Sequence, residues 1–466
     1  MLGKIAFAKI EKEKGKFIGL AKNMWETPET AFNEVNACKW TTDLLREFGF
    51  ETEVGYAGLP TCVMGRWGSG HPVVGILGEL DALPGLSQKV STIQDPVVKN
   101  GAGHGCGHNL LNGAALAAAV GIKAEMEEKK IPGTVIFYGC PAEEVLTGKP
   151  FMARTGAFRE LDCAISYHGN ARNIVETGNS NGLNNVVFHF SGRTSHAGSN
   201  PWDGRSALDA AELTSVGANY LREHVTPDIR IHYSYTEAGT APNVVPDRAS
   251  VWYYVRGASR KNIEDAYARL IKVAEGAAHM TETELEVELK GGCYNSLNNV
   301  YFSELAYEAM KDAFPPEWTE EELKFADELN QVSPRLEQTR ALGRLDKGPL
   351  HTEVCPCVWN NEIGGGSTDL SDVCHICPTV AIDTATYNMA GMGHSWQITA
   401  CAGMSIGFKG MLYGGRCMAL TALKILTEPE HLEKIADEFK ERMNGDVYHC
   451  PIPDYVPVPQ PDSIRN

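Results

Sequence analysis

Residues 133–144, GTVIFYGCPAEE, decide the fold class of this chain. Within them, Thr134–Cys140 is β-branched and aromatic, which favours a buried strand. An alanine-rich helical segment, Leu110–Lys130, precedes it, and short apolar runs lie at Val73–Leu80 and Asp162–Tyr167. Strands that alternate with helices indicate an α/β fold with a largely parallel sheet, covered on both faces.

The pattern changes in the middle of the chain. Val186–Ser191 and Ala249–Arg256 alternate as half-buried strands do, and Ala207–Glu223 and Lys261–Ala278 have helical spacing. This mixture is typical of a separate α+β unit of about a hundred residues. The polar stretch Pro315–Pro349 reads as a surface insertion. We therefore predict one catalytic domain in two parts, interrupted by an inserted domain, with these bounds: residues 1–183, 184–296 and 297–466.

Composition excludes several classes of protein. The 466 residues include 42 Lys and Arg against 59 Asp and Glu, a formal charge of −17, which argues against nucleic-acid and anionic-membrane partners. No stretch reaches the roughly 18 apolar residues that a membrane span needs, and Met1–Phe17 lacks the apolar core of a secretory signal. Thirteen cysteines, spread from Cys38 to Cys450, do not suggest a disulfide framework in so long a chain. We expect a cytoplasmic protein with mostly reduced thiols.

Candidate metal ligands follow strands or lie in glycine-rich turns, which is where open α/β sheets bind ligands. Cys106 and His108 are two residues apart in GHGCGHN, a spacing that can place both on one metal centre. Glu143 and Glu144 leave a strand together but point apart. One can therefore bind metal while the other acts as a general base.

Three further residues complete the pattern. His168 follows an apolar run, and His394 lies in the glycine loop GMGHS. Asp81 also follows an apolar run and suits a role in orienting a ligand imidazole. Each of these features has an ordinary alternative when taken alone, such as a tight turn, a charged helix start or a surface histidine.

Taken together, these features favour a catalytic metal site over the ordinary alternatives. Five candidate ligands are enough for a two-metal site with one bridging group: Cys106, His108, Glu144, His168 and His394. Glu143 stands beside them as an additional carboxylate. Two metal ions can activate water and polarise a carbonyl, which is typical of metal-assisted amide hydrolysis.

Several segments, taken in order, resemble the amidohydrolase branch of the M20 metallopeptidase family, and within it the aminobenzoyl-glutamate subgroup. The similarity runs from about Trp25 to Leu426. The segments that carry it are GELDALPGLSQ (78–88), GAGHGCGHNLL (101–111), YGCPAEE (138–144), SGRTSHAG (191–198), PNVVPDRASVWYYVRG (242–257) and GGGSTDLSDV (364–373).

The resemblance implies a zinc-peptidase-like catalytic domain with a mixed, mostly parallel sheet and a smaller α+β domain for lid and dimerisation. It implies that Cys106 is a bridging thiolate, that the other four ligands complete a dinuclear site, and that Asp81 supports His108. Glu143 would be the general base and acid, and His196 would reach across a homodimer to stabilise the tetrahedral oxyanion. The implied substrate contacts are Asn243, Arg256, Gly366 and Ser367.

The implied substrate is an N-acyl amino acid, with an aromatic acyl group and an amino acid such as glutamate. A dipeptide or an aromatic amine on the same site, or a non-catalytic binding protein of the same fold, are the alternatives. The ligand mixture suits Mn²⁺ or Zn²⁺ and tolerates Co²⁺ or Ni²⁺. The resemblance to this subgroup also implies that a paralogous chain is a candidate partner. This sequence departs from the branch at Asn109 and Glu79, where Asp is common, and at Trp396, where Pro follows the serine.

Two other patterns have simpler interpretations. Cys355 and Cys357 form C-x-C, and Cys374 and Cys377 form C-x-x-C, which allows a structural zinc site. Their flanks read as a pocket loop that runs into a strand, so buried thiols are favoured. The aromatic run 252–254 is predicted to pack within a sheet.

Overall fold

In the computed structural model of the protein, residues 2–359, 364 and 366–462 are described. The strands of this part of the chain are β1 (Glu51–Val54), β2 (Val63–Ser69), β3 (Val73–Glu79), β4 (Gly133–Cys140), β5 (Cys163–Asn170), β6 (Ile174–Val175), β7 (Gly182–Ser191), β8 (Arg230–Ala238), β9 (Arg248–Gly257), β10 (Glu284–Cys293) and β11 (Thr379–Ala385). The helices are α1 (Lys4–Glu26), α2 (Val35–Glu47), α3 (His108–Lys129), α4 (Gly148–Arg154), α5 (Ala207–Leu221), α6 (Arg260–Thr281), α7 (Val300–Asp312), α8 (Glu320–Gln331), α9 (Leu336–Ala341), α10 (Leu370–Cys374), α11 (Trp396–Ala402), α12 (Ser405–Thr427) and α13 (Pro429–Met443).

The larger sheet has the strand order β1-β2-β4-β3-β5-β11-β6. Its four central strands, β4, β3, β5 and β11, pair in parallel. Strands β1, β2 and β6 pair antiparallel at the two edges. The prediction of an α/β fold with a mixed, mostly parallel sheet is confirmed. Because the central strands run the same way, β3, β4 and β5 end at the same edge. Asp81 follows the end of β3, Glu143 and Glu144 follow the end of β4, and His168 lies near the end of β5.

Helix α3 forms the core beneath this edge. It packs against α1, α12 and the sheet, and five of its alanines are fully buried: Ala114, Ala115, Ala117, Ala118 and Ala119. A Cβ atom added to Gly113 would lie 2.4 Å from Met411 Sδ, so the helices approach too closely there for a larger side chain. Small residues in α3 therefore allow the packing that holds its N-terminus at the sheet edge.

The smaller sheet is fully antiparallel, with the order β10-β7-β9-β8. Helices α5 and α6 cover one of its faces and bury Phe188, Val251 and Tyr253. Of the three aromatic residues predicted to pack in the sheet, only Tyr253 lies in this core, because Trp252 and Tyr254 alternate to the opposite face. We propose that this unit is the inserted domain predicted for residues 184–296.

The stretch Pro315–Pro349 is more than a surface insertion. It contains α8, which begins with a capping box between Thr319 and Glu322. The side chain of Leu329 is fully buried, and so is that of Asn330. This segment is therefore packed into the catalytic domain.

The structure also bears on the predictions about membrane spans and cysteines. Within the described ranges, no helix combines the length and the apolar character needed to cross a membrane. All thirteen cysteines are free thiols. Cys374 and Cys377 are buried, Cys355 and Cys357 are half-buried, and none of the four joins a group of three potential ligands among the described residues.

Asp372 ties the C-terminal tail to the rest of the fold. It is fully buried in α10, where Oδ2 accepts a hydrogen bond from the Tyr294 N–H at 3.0 Å and Oδ1 accepts one from the Tyr448 hydroxyl at 2.7 Å. Burial raises the pKa of Asp372 to about 7, although these two hydrogen bonds oppose the change. The folded protein therefore holds a proton that the unfolded chain releases near pH 4.

The Asp372→Asn variant tests this proton. The contribution of Asp372 to stability is complete below about pH 4 and is lost as the pH rises towards 7, because only the folded state stays protonated between them. The free energy of unfolding of the wild type, minus that of the variant, should fall by about 1.4 kcal/mol per pH unit between these limits. Denaturant titrations with chelator present measure it, and a pH-independent difference would contradict the prediction.

Candidate active site

The carboxylate of Asp81 joins three elements at the edge of the larger sheet. It lies two residues after β3 and is buried. Its Oδ1 and Oδ2 accept hydrogen bonds from the backbone N–H groups of Glu143 and Glu144, at 3.1 and 2.9 Å. His108 Nδ1 lies 2.9 Å from the Asp81 carbonyl oxygen and 3.2 Å from Oδ1. Asp81 thus fixes the glutamate pair and the His108 ring together.

A left-handed residue turns the glutamate pair towards Asp81. Strand β4 ends at Cys140, and Ala142 has a φ of 58°, which is uncommon for a residue other than glycine. Its N–H donates to Glu34 Oε1 at 2.9 Å, and the Thr61 hydroxyl donates to Oε2 of the same carboxyl at 2.8 Å. Burial and the charge of Asp81 raise the pKa of Glu34 to about 8. This turn is the kind of strained backbone found at functional sites.

Cys106 and His108 flank the start of α3. Gly107, between them, has a φ of 83°, which glycine adopts without strain. Cys106 Sγ lies 3.3 Å from His168 Nε2, close to the roughly 3.6 Å between sulfur and nitrogen ligands of one tetrahedral ion. Burial opposes ionisation of Cys106, but the His168 and His108 imidazoles hold the pKa of its thiol well below the usual range. The site therefore favours a thiolate.

The two remaining histidines approach from different elements. His168 Nδ1 lies 2.7 Å from the Gly169 carbonyl oxygen, so that nitrogen is the donor and Nε2 is left for a ligand. His394 has 59% of its side chain exposed, and its Nε2 lies 3.5 Å from Glu144 Oε2. The predicted ligands are therefore gathered at one edge of the sheet.

The loop that carries His394 is held by the stretch 315–349. Asn330 Oδ1 accepts hydrogen bonds from Ala390 N–H at 2.8 Å and from the Asn388 amide at 2.9 Å. The Gln397 amide donates to the Leu329 carbonyl at 2.7 Å. Sequence reasoning missed this function of the insertion, because polar composition alone does not distinguish a buried asparagine from an exposed one.

The described residues contain three groups of potential metal ligands, and within each group the ligand atoms lie within 4.8 Å of one another. Cys106 belongs to two of them, which is the position expected of a bridging ligand. The third group includes Glu79, which the sequence marked only as a departure from the family. The groups are Cys106 with His108 and His168, Cys106 with Glu144 and His394, and Glu79 with His108 and Glu143.

Two orphaned polar atoms show that the site fits divalent cations. His108 Nε2 and Glu144 Oε1 are buried, and neither has a hydrogen-bond partner within the described chain, although Glu79 Oε2 lies 3.2 Å from His108 Nε2. They are 3.9 Å apart, within the roughly 4.2 Å that two bonds to one ion can span. Buried polar atoms without partners are rare and costly, and a cation between them removes that cost. Thiolate, imidazole and carboxylate together form a donor set suited to Zn²⁺ or Mn²⁺.

Glu143 is placed for proton transfer. Only 8% of the residue is exposed, and its Oε2 lies 3.8 Å from His108 Nε2. Burial raises the pKa of Glu143 to about 8, and the charges of Glu79 and Asp369 add to this. A carboxyl group with a pKa near neutrality can both accept and return a proton.

A buried lysine stands behind this carboxylate. Lys149 is fully buried, and its Nζ lies 2.6 Å from Glu79 Oε1 and 2.5 Å from Asp369 Oδ1. The Lys149 N–H also donates to Asp369 Oδ2 at 2.9 Å. Burial opposes the charge, but the two carboxylates hold the pKa of Lys149 well above its usual range. Sequence reasoning missed this triad, because its three members are far apart in the chain and lysine is rarely buried.

Four of the five candidate ligands, Cys106, Glu144, His168 and His394, line a cavity of about 580 Å³. Arg256, Gly366 and Ser367 also line it, and Arg256 Nη1 donates to Ser367 Oγ at 3.4 Å. His196 and Asn243 are exposed and are not among the described residues that line this cavity. They lie beside each other on a separate turn, where Ala197 N–H donates to the Asn243 carbonyl at 3.0 Å.

This chain is similar to known peptidases and hydrolases. The model of Peptidase family M20/M25/M40 matches residues 75–343. A p-aminobenzoyl-glutamate hydrolase subunit of Escherichia coli is 34% identical over 97% of both chains. The chain belongs to the M20/M25/M40 peptidase family. It is a metal-binding hydrolase that acts on amide bonds.

Two further members of the family differ in what their names describe. The Xaa-Arg dipeptidase of Mus musculus is 26% identical over 94% of this chain and 92% of its own. A dinuclear metal-binding M20 peptidase of Bacillus subtilis, with a solved structure, is 18% identical and has a TM-score of 0.56 over 90% of this chain and 99% of its own. At that identity the likeness shows the M20 peptidase fold alone.

The buried triad provides a stability test. Lys149→Met should destabilise the protein by about 3–5 kcal/mol, because it leaves Glu79 and Asp369 buried without a cation. The matched control is Lys39→Met, which removes an exposed pair with Asp43 and should cost about 0.5 kcal/mol or less. Denaturant titration of chelator-treated protein compares them, and equal losses in the two variants would contradict a stabilising role for the triad.

Proposed function

We propose that the protein is a dinuclear metal-dependent amidohydrolase that cleaves N-acyl amino acids, with an aromatic acyl group and an amino acid such as glutamate. The observation that carries the proposal is the pair of orphaned atoms, His108 Nε2 and Glu144 Oε1, with the Glu143 carboxyl beside them. The Escherichia coli relative supports the choice of substrate, because its name specifies an aromatic acyl group on glutamate.

The proposed metal ligands are the five that the sequence predicted. Cys106 would bridge two ions, and each ion would have further ligands from the catalytic domain. We propose Mn²⁺ or Zn²⁺ as the native metal, with Co²⁺ and Ni²⁺ tolerated. When bound, such ions polarise a carbonyl and lower the pKa of a water molecule. The ligands are Cys106, His108, Glu144, His168 and His394.

The remaining steps belong to this chain's own side chains. Glu143 takes a proton from the attacking water and returns it to the nitrogen of the leaving amine. Asp81 holds His108 Nδ1 as the donor, so Nε2 is left for a metal ion. Arg256, with Gly366 and Ser367, contacts the carboxylate or carbonyl of the substrate from the cavity wall.

His196 and Asn243 are proposed to come from a second copy of the chain. Their exposure, outside the cavity of their own chain, supports this arrangement. The inserted domain also presents an apolar surface suited to pairing, at the exposed side chains Val216, Tyr220 and Tyr233 of α5 and of the edge strand β8. A homodimer would bring His196 to the oxyanion of the partner's site. A cytoplasmic location is proposed from the thirteen free thiols.

Glu143→Gln separates proton transfer from metal binding. The variant should keep two metal ions per chain but lose about 10²–10⁴ in kcat, because the amide cannot take a proton from water. Elemental analysis and hydrolysis of N-benzoyl-glutamate measure the two effects. Glu144→Gln is the paired variant and should lose metal as well as activity. Near-normal turnover by the metal-loaded Glu143→Gln protein would contradict the role of Glu143.

Mixing two inactive variants tests the contribution of His196. If His196 serves the partner's site, hybrids of Glu143→Gln and His196→Ala contain one complete site, so the mixture should recover roughly a quarter of wild-type activity. If His196 served its own chain, every site in a hybrid would be defective and activity would stay absent. If the wild-type protein hydrolyses the substrate only after a paralogous chain is added, the active assembly contains both chains and is not a homodimer.

A further inference from the structure

The face of the smaller sheet opposite its helices carries a cluster of cations. Strands β8 and β9 pair antiparallel, so Arg230 lies opposite Arg256 and His232 lies opposite Tyr254. All four residues line one cavity of about 620 Å³. Like charges directly opposite each other destabilise a sheet.

Few acidic groups line the described part of this cavity. Asp228 is the single carboxylate among its described lining residues. One Asp228 oxygen already accepts from Ala258 N–H at 3.0 Å, and the Asn262 amide lies 3.3 Å from the other. Arg230 donates to the neutral carbonyls of Pro227 and Ile229, at 2.6 and 2.9 Å, and makes no ion pair within the described ranges.

His232 reports the positive potential of this cavity. Burial lowers its pKa, and the nearby charges of Arg256, Arg222 and Arg230 lower it further. A group whose protonation is opposed by three arginines lies in a field that favours an anion. The field is local, because the whole chain carries a formal charge of −17.

The cationic cavity adjoins the cavity of the metal ligands. Arg256 and Tyr254 line both of them. Arg230 and His232 line the first but are not among the described residues that line the second. A molecule whose amide lies at the ligands therefore reaches Arg256 first and the other two cations beyond it.

We propose that Arg230 and His232, together with Arg256, form a subsite for a second carboxylate, carried by the side chain of the leaving amino acid. Arg256 binds the α-carboxylate, and Arg230 with His232 binds the carboxylate two or three carbons further on. The enzyme then selects N-acyl glutamate or aspartate over neutral residues and rejects arginine, unlike the Xaa-Arg dipeptidases in its family. This inference rests on the proposed function.

Matched substrates test the subsite. N-benzoyl-glutamate and N-benzoyl-glutamine have the same shape and differ by one charge, and N-benzoyl-arginine reverses the sign. The wild type should show a kcat/KM at least about tenfold higher for glutamate than for glutamine, since a charge-assisted hydrogen bond contributes this much. Its kcat/KM for arginine should be lower than for either.

Substitutions then assign the preference to residues. Arg230→Gln should lower kcat/KM for N-benzoyl-glutamate by about 10–100-fold, mainly through KM, and change that for N-benzoyl-glutamine by less than about threefold. Arg248→Gln is the matched control, because Arg248 is exposed at the other end of β9 and should leave both values unchanged. Equal rates of the wild type on both substrates, or equal losses on both in Arg230→Gln, would overturn the subsite.

Binding without turnover distinguishes failure of the subsite from failure of the proposed function. If no N-acyl amino acid is hydrolysed, the proposed function fails, and calorimetric titration of metal-loaded protein with glutarate and with its monoamide judges the subsite. Tighter binding of glutarate that is lost in Arg230→Gln would support it. Equal binding of the two compounds would contradict it.

Discussion

The buried carboxylate of Asp81 is the interaction on which the site depends. Its two oxygens accept from the N–H groups of Glu143 and Glu144 and from His108, so they join the ends of β3 and β4 to the start of α3. Burial opposes ionisation of Asp81, but the His108 imidazole and both backbone donors hold its pKa below the usual range. A charged acceptor at this point fixes the positions of all three elements relative to one another.

Excess negative charge is the second constraint at this edge of the sheet. Four carboxylates lie close together here: Glu79, Glu143, Glu144 and Asp369. Lys149 is the one buried lysine among the described residues, and it pairs with Glu79 and Asp369. Burial and mutual repulsion raise the pKa values of Glu143 and Glu144 to about 8 and 9. Divalent cations supply the positive charge that such a group of carboxylates lacks. The excess negative charge that favours metal binding therefore also perturbs the pKa of Glu143.

The fold and the ligand set could be predicted because each depends on local patterns. Apolar runs placed β3 and β4 to within a residue of their observed bounds, and Asp81, Glu143 and Glu144 follow those strands. Residues whose role depends on distant contacts could not be predicted. Lys149 looks like an ordinary surface lysine until Glu79 and Asp369 are folded against it. The cross-strand partner of Arg256, Arg230, is visible only once the register of β8 is known.

The two sides of the cleft carry charges of opposite sign, so the carboxylates of a substrate can position its amide bond. Arg256 belongs to the smaller sheet, whereas Glu143 and the metal ligands belong to the larger one. An N-acyl amino acid held by its carboxylate on one side has its amide placed on the other, within reach of Glu143. Binding energy from groups that do not react is then used to position the group that does. The proposed subsite at Arg230 would then favour an anionic leaving residue even though the whole chain carries a formal charge of −17.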